Sequence, residues 1–305
     1  MVQSWTRSGC VYARVPPDIC NAGRWIRRAL ACSLRALHVH CDAFDDVVHM
    51  PLDLGPSLTR LHLSNLSLDA RFAESVSSVC VVLEDLELIG CELCFDNITS
   101  TSLRNLCIET GTPDYDRLSI TAPRLTSLRL LIQDQFFQVS VNEMPSLVKA
   151  SISYWSPDQE PAIQETQRKL VSNVSNVTTL ELSDFLQMIV PDMQPVEFPA
   201  FRNLRNLVLD GCDLRDDFQL LRHFLQKSPN LEKLTVRCCW KVPDMEPVEF
   251  PAFRNLRNLV LDGCDLRDDF QLLRHFLQKS LNLEKLTVRC CWLPEVLLEA
   301  KKQPN

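Results

Sequence analysis

Glycine is scarce in this chain: seven in 305 residues, with no two closer than Gly9 and Gly23. The phosphate-cradling loops and nucleophile elbows built on GxGxxG, GxxxxGK and GxSxG spacing therefore have nowhere to sit. Long apolar runs are missing too. None approaches the length that crosses a bilayer, and the opening MVQSWTRSGCVYARVPPDIC lacks the continuous apolar segment of a secretory signal. We expect a cytoplasmic or nuclear protein without a membrane partner. Positive charge is not in excess: the formal net charge is -7. That argues against a nucleic-acid partner in spite of the local cluster Arg24, Arg27 and Arg28. The adjacent acids Asp216/Asp217 and Asp268/Asp269 fall at predicted helix starts, where carboxylates favour the dipole. The expectation is of a non-enzyme with no catalytic residue, no bound metal and no cofactor.

Cysteine is plentiful, at fourteen, but a disulfide framework belongs to small secreted chains. Without an export signal these cysteines read as small buried hydrophobes. By the same logic the sequons at Asn65, Asn97, Asn173 and Asn176 read as chance matches. Cys91 and Cys94 stand in CxxC spacing with no second pair to complete a zinc site, so their expected role is structural.

What the chain does have is leucine at regular intervals. Eleven segments fit LxxLxL, starting at Leu34, Leu58, Leu83, Leu103, Leu125, Leu147, Val177, Leu204, Leu231, Leu256 and Leu283, at intervals of 20 to 30 residues. Leucine-rich repeats have periods of about 20 to 29 residues. The phrase LRNLVLDGCDLRDDFQLLRHFLQKS occurs at 204–228 and again, unchanged, at 256–280. The wider copy, 190–240 on 242–292, differs only at Gln194/Glu246 and Pro229/Leu281, and its offset of 52 residues equals two repeats. A close-packed single core rarely admits such an insertion. A solenoid, in which each unit touches only its neighbours, simply lengthens. The predicted fold is an α/β leucine-rich-repeat solenoid, a horseshoe with a parallel concave sheet of about eleven strands and an irregular or helical convex side. We assign 1–33 to an amino-terminal segment and capping helix, 34–292 to the repeat domain and 293–305 to a carboxy-terminal tail.

Side chains alternate faces along a strand. In the segment from Leu204 to Asp210, Leu207 and Leu209 are predicted to fill the interior, while Asn206, Val208 and Asp210 line the concave face. Past the strands, Cys91 with Leu93, Cys212 with Leu214 and Cys264 with Leu266 fit the turn positions, and Cys239 and Cys291 fit the first of them. On the convex side Phe218, Leu220, Leu221, Phe224 and Leu225 make an apolar helical face. Pro243, Pro247 and Pro251 forbid a regular helix in the next unit, whose outer layer is predicted to be extended. WSPDQEPAIQETQRKLVSN predicts a polar loop and then a short helix on Ile163, Leu170 and Val174.

The outward positions give the candidate surfaces. His38, His40 and His62 fall together on the first two strands, enough imidazoles for a transition metal or a pH-sensitive patch. No carboxylate or thiolate is clearly placed to complete a sphere, so the reading is a solvated polar patch. The middle strands carry Glu87, Ile89, Glu109, Arg129, Leu131, Lys149, Ser151 and Glu181. Exposed Ile89 and Leu131 among charges have the anatomy of an apolar anchor in a polar rim. With the three histidines, these residues form the candidate protein-binding surface. At the far end Asp210, Arg237, Asp262 and Arg289 alternate in sign along one outward column. They predict a structural cross-strand ladder, each facing pair contributing about 0.2 to 1 kcal/mol.

Several longer phrases carry a family resemblance. GRWIRRAL at 23–30, ITAPRLTSLRL at 120–130, MPSLVKASI at 144–152, SNVTTLELS at 175–183 and FRNLRNLVLDGCDLRDDFQLLRHFLQKSPNLEKLTVRCCW from 201 resemble plant F-box/leucine-rich-repeat proteins of the FBD type. The resemblance implies repeats that recognise the substrate of a cullin-RING ubiquitin ligase, and an amino-terminal F-box that docks a SKP-type adaptor. The 22 residues before GRWIRRAL carry no recognisable F-box pattern, and no FBD segment is recognisable after the last repeat. The expectation is a protein-recognition module with a protein substrate on its concave face. The alternative is a decoy or scaffold that holds partners without engaging the adaptor.

Overall fold

The computed structural model describes residues 10–15, 34–41, 48–49, 54–110, 117–133, 137–142, 144–154, 161–185, 199–211, 219–237, 253–263 and 271–289. Several features expected from the sequence lie outside them: the capping helix within 1–33, the turn cysteines Cys212, Cys239, Cys264 and Cys291, the acid pairs at 216–217 and 268–269, the proline-rich 241–252 and the tail 293–305. The chain divides into two compact units, one of residues 1–148 and 154–158, the other of 149–153 and 159–305.

In the first unit β1 (Cys10–Val15), β2 (Ala36–Cys41), β4 (Arg60–Ser64), β6 (Asp85–Leu93), β8 (Asn105–Thr110) and β10 (Ser127–Ile132) are parallel neighbours in that order. In the second, β12 (Lys149–Tyr154), β13 (Thr179–Ser183), β14 (Asn206–Asp210), β15 (Lys233–Arg237), β16 (Asn258–Asp262) and β17 (Lys285–Arg289) pair the same way. Every one of the eleven leucine segments is thus a rung of a parallel sheet, and β1 adds one rung before them. The fold is a leucine-rich-repeat solenoid.

The inward leucines explain the stacking. Leu37, Leu61, Leu86, Leu106 and Leu128 form one buried row of the first unit, and Leu180, Leu207, Leu234 and Leu259 the corresponding row of the second. At about 25 cal/mol per Å² of apolar surface removed from water, these rows dominate the energetics. At β17, the last described strand, the corresponding residues are less enclosed: Leu286 and Val288 are 40% and 39% exposed. Polar groups lock each rung to the one before. The Arg205 carbonyl accepts from the N–H groups of both Glu232 and Lys233, and the Arg257 carbonyl from those of Glu284 and Lys285. Beside these forks Asn203, Asn230, Asn255 and Asn282 each donate a side-chain N–H to a backbone carbonyl of the preceding repeat.

Outside the main sheets the first unit is more regular than expected. β7 (Asn97–Thr99), β9 (Arg117–Thr121) and β11 (Gln138–Asn142) form a separate three-stranded parallel sheet. The two-residue β3 (Val48–His49) pairs with β5 (Leu66–Leu68). Those segments had a period-two signal that the leucine motif overshadowed: Leu118 and Ile120, and Val139 and Val141, are buried while the residues between them are not. Helices supply the rest. Asp69 caps α1 (Ala70–Ser78) by accepting from the Phe72 N–H at 3.1 Å. α2 (Pro161–Asn173) buries Leu170 and Val171. α3 (Gln219–Lys227) and α4 (Gln271–Lys279) are the duplicated helices, and Phe224 and Phe276 lie 5.1 and 5.6 Å, ring to ring, from Phe201 and Phe253. No described helix is long and apolar enough to cross a membrane.

Candidate protein-binding face

A repeating turn frames the sheet face. The residue after β4, β13, β14 and β16, and the one after Ile89 within β6, has positive φ: Asn65, Asp184, Gly211, Gly263 and Gly90. A Cβ on Gly90 would stand 2.5 Å from Asn65 Oδ1, and one on Gly211 2.7 Å from Asp184 Oδ1. Gly90 and Gly211 are therefore each covered by the polar side chain of the preceding turn. Asn65 in turn donates to the Cys41 carbonyl at 3.0 Å, and the Ser153 hydroxyl lies 3.2 Å from Asp184 Oδ2.

In the first unit the register sorts the outward side chains into three columns. The first places Arg60 beside Asp85, with Nε 3.1 Å from Oδ2. In the middle column His38, His62, Glu87, Cys107 and Arg129 follow one another. The imidazoles of His38 and His62 meet edge to face with ring centres 4.2 Å apart. His62 Nδ1 stands 3.0 Å from Glu87 Oε2, placed to donate to it. Burial first, then the neighbouring His62, holds the His38 pKa below the usual imidazole value; Glu87 opposes this and Arg60 reinforces it. The third column runs His40, Ser64, Ile89, Glu109 and Leu131. There Ile89 and Leu131 are half-buried, not fully exposed as the sequence implied, and they flank Glu109 from either side.

The remaining predicted residues belong to the second unit. Lys149 and Ser151 lie on β12, and the Ser151 hydroxyl is 3.4 Å from Glu181 Oε2 on β13. Asp210, Arg237, Asp262 and Arg289 occupy one register column, and Arg237 Nη1 lies 3.8 Å from both Asp210 Oδ2 and Glu181 Oε1.

Two features escaped the sequence reading. A carboxylate does stand against the histidines: Glu87 is one strand on from His62, at the same motif position, and the shared position was the available signal. Cys107 sits in the same column between Glu87 and Arg129, its thiol pushed up in pKa chiefly by burial. Among the described residues no group of three or more His, Cys, Asp or Glu side chains is arranged to hold a metal ion. Cys41, Cys80, Cys91, Cys94 and Cys107 form no disulfide. Cys91 is 1% exposed, its Sγ lies 3.4 Å from the Leu63 carbonyl, and burial pushes its pKa up to about 11. Little thiolate is then present near neutral pH, so the CxxC pair has no reactive member at that position.

Comparison with known proteins fits this architecture. Residues 26–248 match the profile described as At1g61320/AtMIF1, LRR domain. The chain is similar to the MEIOTIC F-BOX protein MOF of Oryza sativa subsp. japonica, 27% identical over 241 residues, covering 72% of this chain and 50% of the relative. It is also similar to two Arabidopsis thaliana proteins. One is the putative FBD-associated F-box protein At1g78730, 26% identical over 295 residues, covering 89% of this chain and 66% of the relative. The other is the putative F-box/FBD/LRR-repeat protein At5g44950, 24% identical over 299 residues, covering 90% and 65%. The chain thus spans about half to two thirds of the length of these curated relatives. No solved structure matches it. With its rungs in register and most of its length under one profile, the chain belongs to the At1g61320/AtMIF1-type leucine-rich-repeat domain family.

Proposed function

We propose that the chain is a non-catalytic protein-recognition module, the substrate-holding part of an F-box/LRR ubiquitin-ligase receptor, and that the sheet face of its first unit grips the partner. The observation that carries this reading is the third column: half-buried Ile89 and Leu131 flank Glu109, with Glu87 and Arg129 in the adjacent column. An apolar pair framed by charge is how protein-binding patches combine desolvated anchors with a polar rim. The three relatives, all named as F-box proteins, support the same role. Affinity capture with the tagged chain and with an Ile89→Asp/Leu131→Asp variant tests it. The variant is expected to keep its circular dichroism and lose the partners held by the wild type; identical partners on both baits would refute the site. Retention of a SKP-type adaptor along with the partner assigns the chain to a ligase receptor. Partner capture without the adaptor assigns it to a scaffold.

A further inference from the structure

The duplication builds something that a single copy lacks. The phrase KLTVR forms both β15 and β17, and the NLVLD strand β16 lies between them in unbroken register. Lys233 and Arg237 therefore stand on one side of β16, with their copies Lys285 and Arg289 on the other. Over this trio of strands the face holds a cavity of about 350 Å³, lined by those four cations with Asn258 and Val260 between them. Lys233, Lys285 and Arg289 are exposed and Arg237 half-exposed. Asp262 is the one acid at the outward positions of these strands, and Arg237 also lies 3.8 Å from Asp210 and Glu181, so the acids gather at the arginine end, while in the first outward column Lys233 and Lys285 flank Asn258 with no carboxylate among them. The glutamates next to the strand starts are engaged elsewhere, Glu232 with Arg205 and Glu284 with Arg257.

We propose that this groove binds an acidic peptide segment of a partner protein, a site that exists only because the 52-residue unit is present twice. It rests on the reading of the sheet as a protein-binding face, and it adds a second site and a partner chemistry to it. The geometry selects the ligand class. Adjacent strands lie about 4.8 Å apart, so Lys233 and Lys285 are separated by about 10 Å. Along a strand, four residues put Lys233 about 13 Å from Arg237. Cations spread over such a rectangle suit charges spaced along a chain. A peptide in the polyproline II conformation has three residues per turn and advances about 9 Å in three residues, so carboxylates at i and i+3 share a face and match the short side. The Asn258 amide, half-buried in the floor, both donates and accepts, which suits a crossing peptide backbone. Single-stranded nucleic acid fits less well. Thr235, Val260 and Thr287 line the floor and offer no aromatic ring for bases to stack on, and the chain as a whole carries -7.

The test uses the full chain and a fluorescein-labelled peptide of sequence EAAEAAEAAE, with its glutamine counterpart QAAQAAQAAQ, read by fluorescence anisotropy at low and raised salt. Binding of the glutamate peptide and its weakening by salt are expected, with no binding of the glutamine peptide. The double variant Lys285→Gln/Arg289→Gln touches only exposed side chains of the last described strand, and its circular dichroism should be unchanged. It should weaken the peptide by about tenfold or more, while Lys169→Gln on α2 leaves binding as it was. Equal binding of the two peptides, full binding by the double variant, or a single-stranded oligonucleotide of equal charge binding more tightly than the peptide would each overturn the proposal. Capture by the Ile89/Leu131 face is read separately, so either site can fail without the other.

Discussion

Leu234 and Leu286 occupy the same place in two copies of one sequence, each inside LEKLTVRCCW, yet the structure treats them differently. Leu234 is 0% exposed between β14 and β16, whereas Leu286 on β17 is 40% exposed. Local propensity is identical at the two sites, so a difference between Leu234→Ala and Leu286→Ala reports only position in the stack. Truncating a fully enclosed leucine costs about 2 to 5 kcal/mol, the transfer loss plus the cavity left behind. At Leu286 little cavity can form and much of the side chain already meets water, so about 1 kcal/mol is expected. With a slope of about 2 kcal/mol per M, a gap near 3 kcal/mol moves the urea midpoint by about 1.5 M. Urea titrations followed by far-ultraviolet circular dichroism give both midpoints. Equal shifts, or a larger one for Leu286→Ala, would refute the reading that Leu286 is the less enclosed of the two.

Three further outcomes follow from the geometry of the faces. Gly211→Ala should destabilise by about 1 to 2 kcal/mol from its positive φ alone, with more from the approach to Asp184 Oδ1, visible as a lower melting temperature. Arg237→Asp sets a third carboxylate against Asp210 and Glu181 and should cost about 1 kcal/mol; unchanged melting would count against the ladder. Because His38 holds its proton less tightly in the folded chain, the unfolded chain takes up that proton first as pH falls below about 6.5. The wild type should therefore lose stability from that pH downward, until His38 itself titrates, more steeply than His38→Gln; parallel melting-temperature curves would contradict this.

The spacing of LxxLxL was enough to place all eleven rungs, because the interior of a solenoid is one-dimensional and each buried leucine needs only its counterpart in the neighbouring rung. The column of Asp210, Arg237, Asp262 and Arg289 was legible for the same reason: equal motif position becomes equal register. What the motif does not encode is what happens between rungs. The short strands β7, β9 and β11 occupy stretches that vary in length from unit to unit, so no period aligned them. The contact of His62 with Glu87 depended on rotamers, and the burial of Ile89 on its neighbours in adjacent strands. Lys233 and Lys285 were overlooked because they stand in the first outward column, whereas the sign alternation lies in the third. Only the register brings the two columns together over β16.

The most direct test of a stack whose units touch only their neighbours is to excise residues 190–241, which joins Ile189 to Val242 and leaves one copy of the duplicate. The shortened chain should fold, with the same shape of far-ultraviolet spectrum and a cooperative melt, and should keep the partners of the Ile89 face. With KLTVR present once, it should no longer bind the glutamate peptide. A collapsed or aggregated product, with the spectrum of the parent lost, would contradict the account.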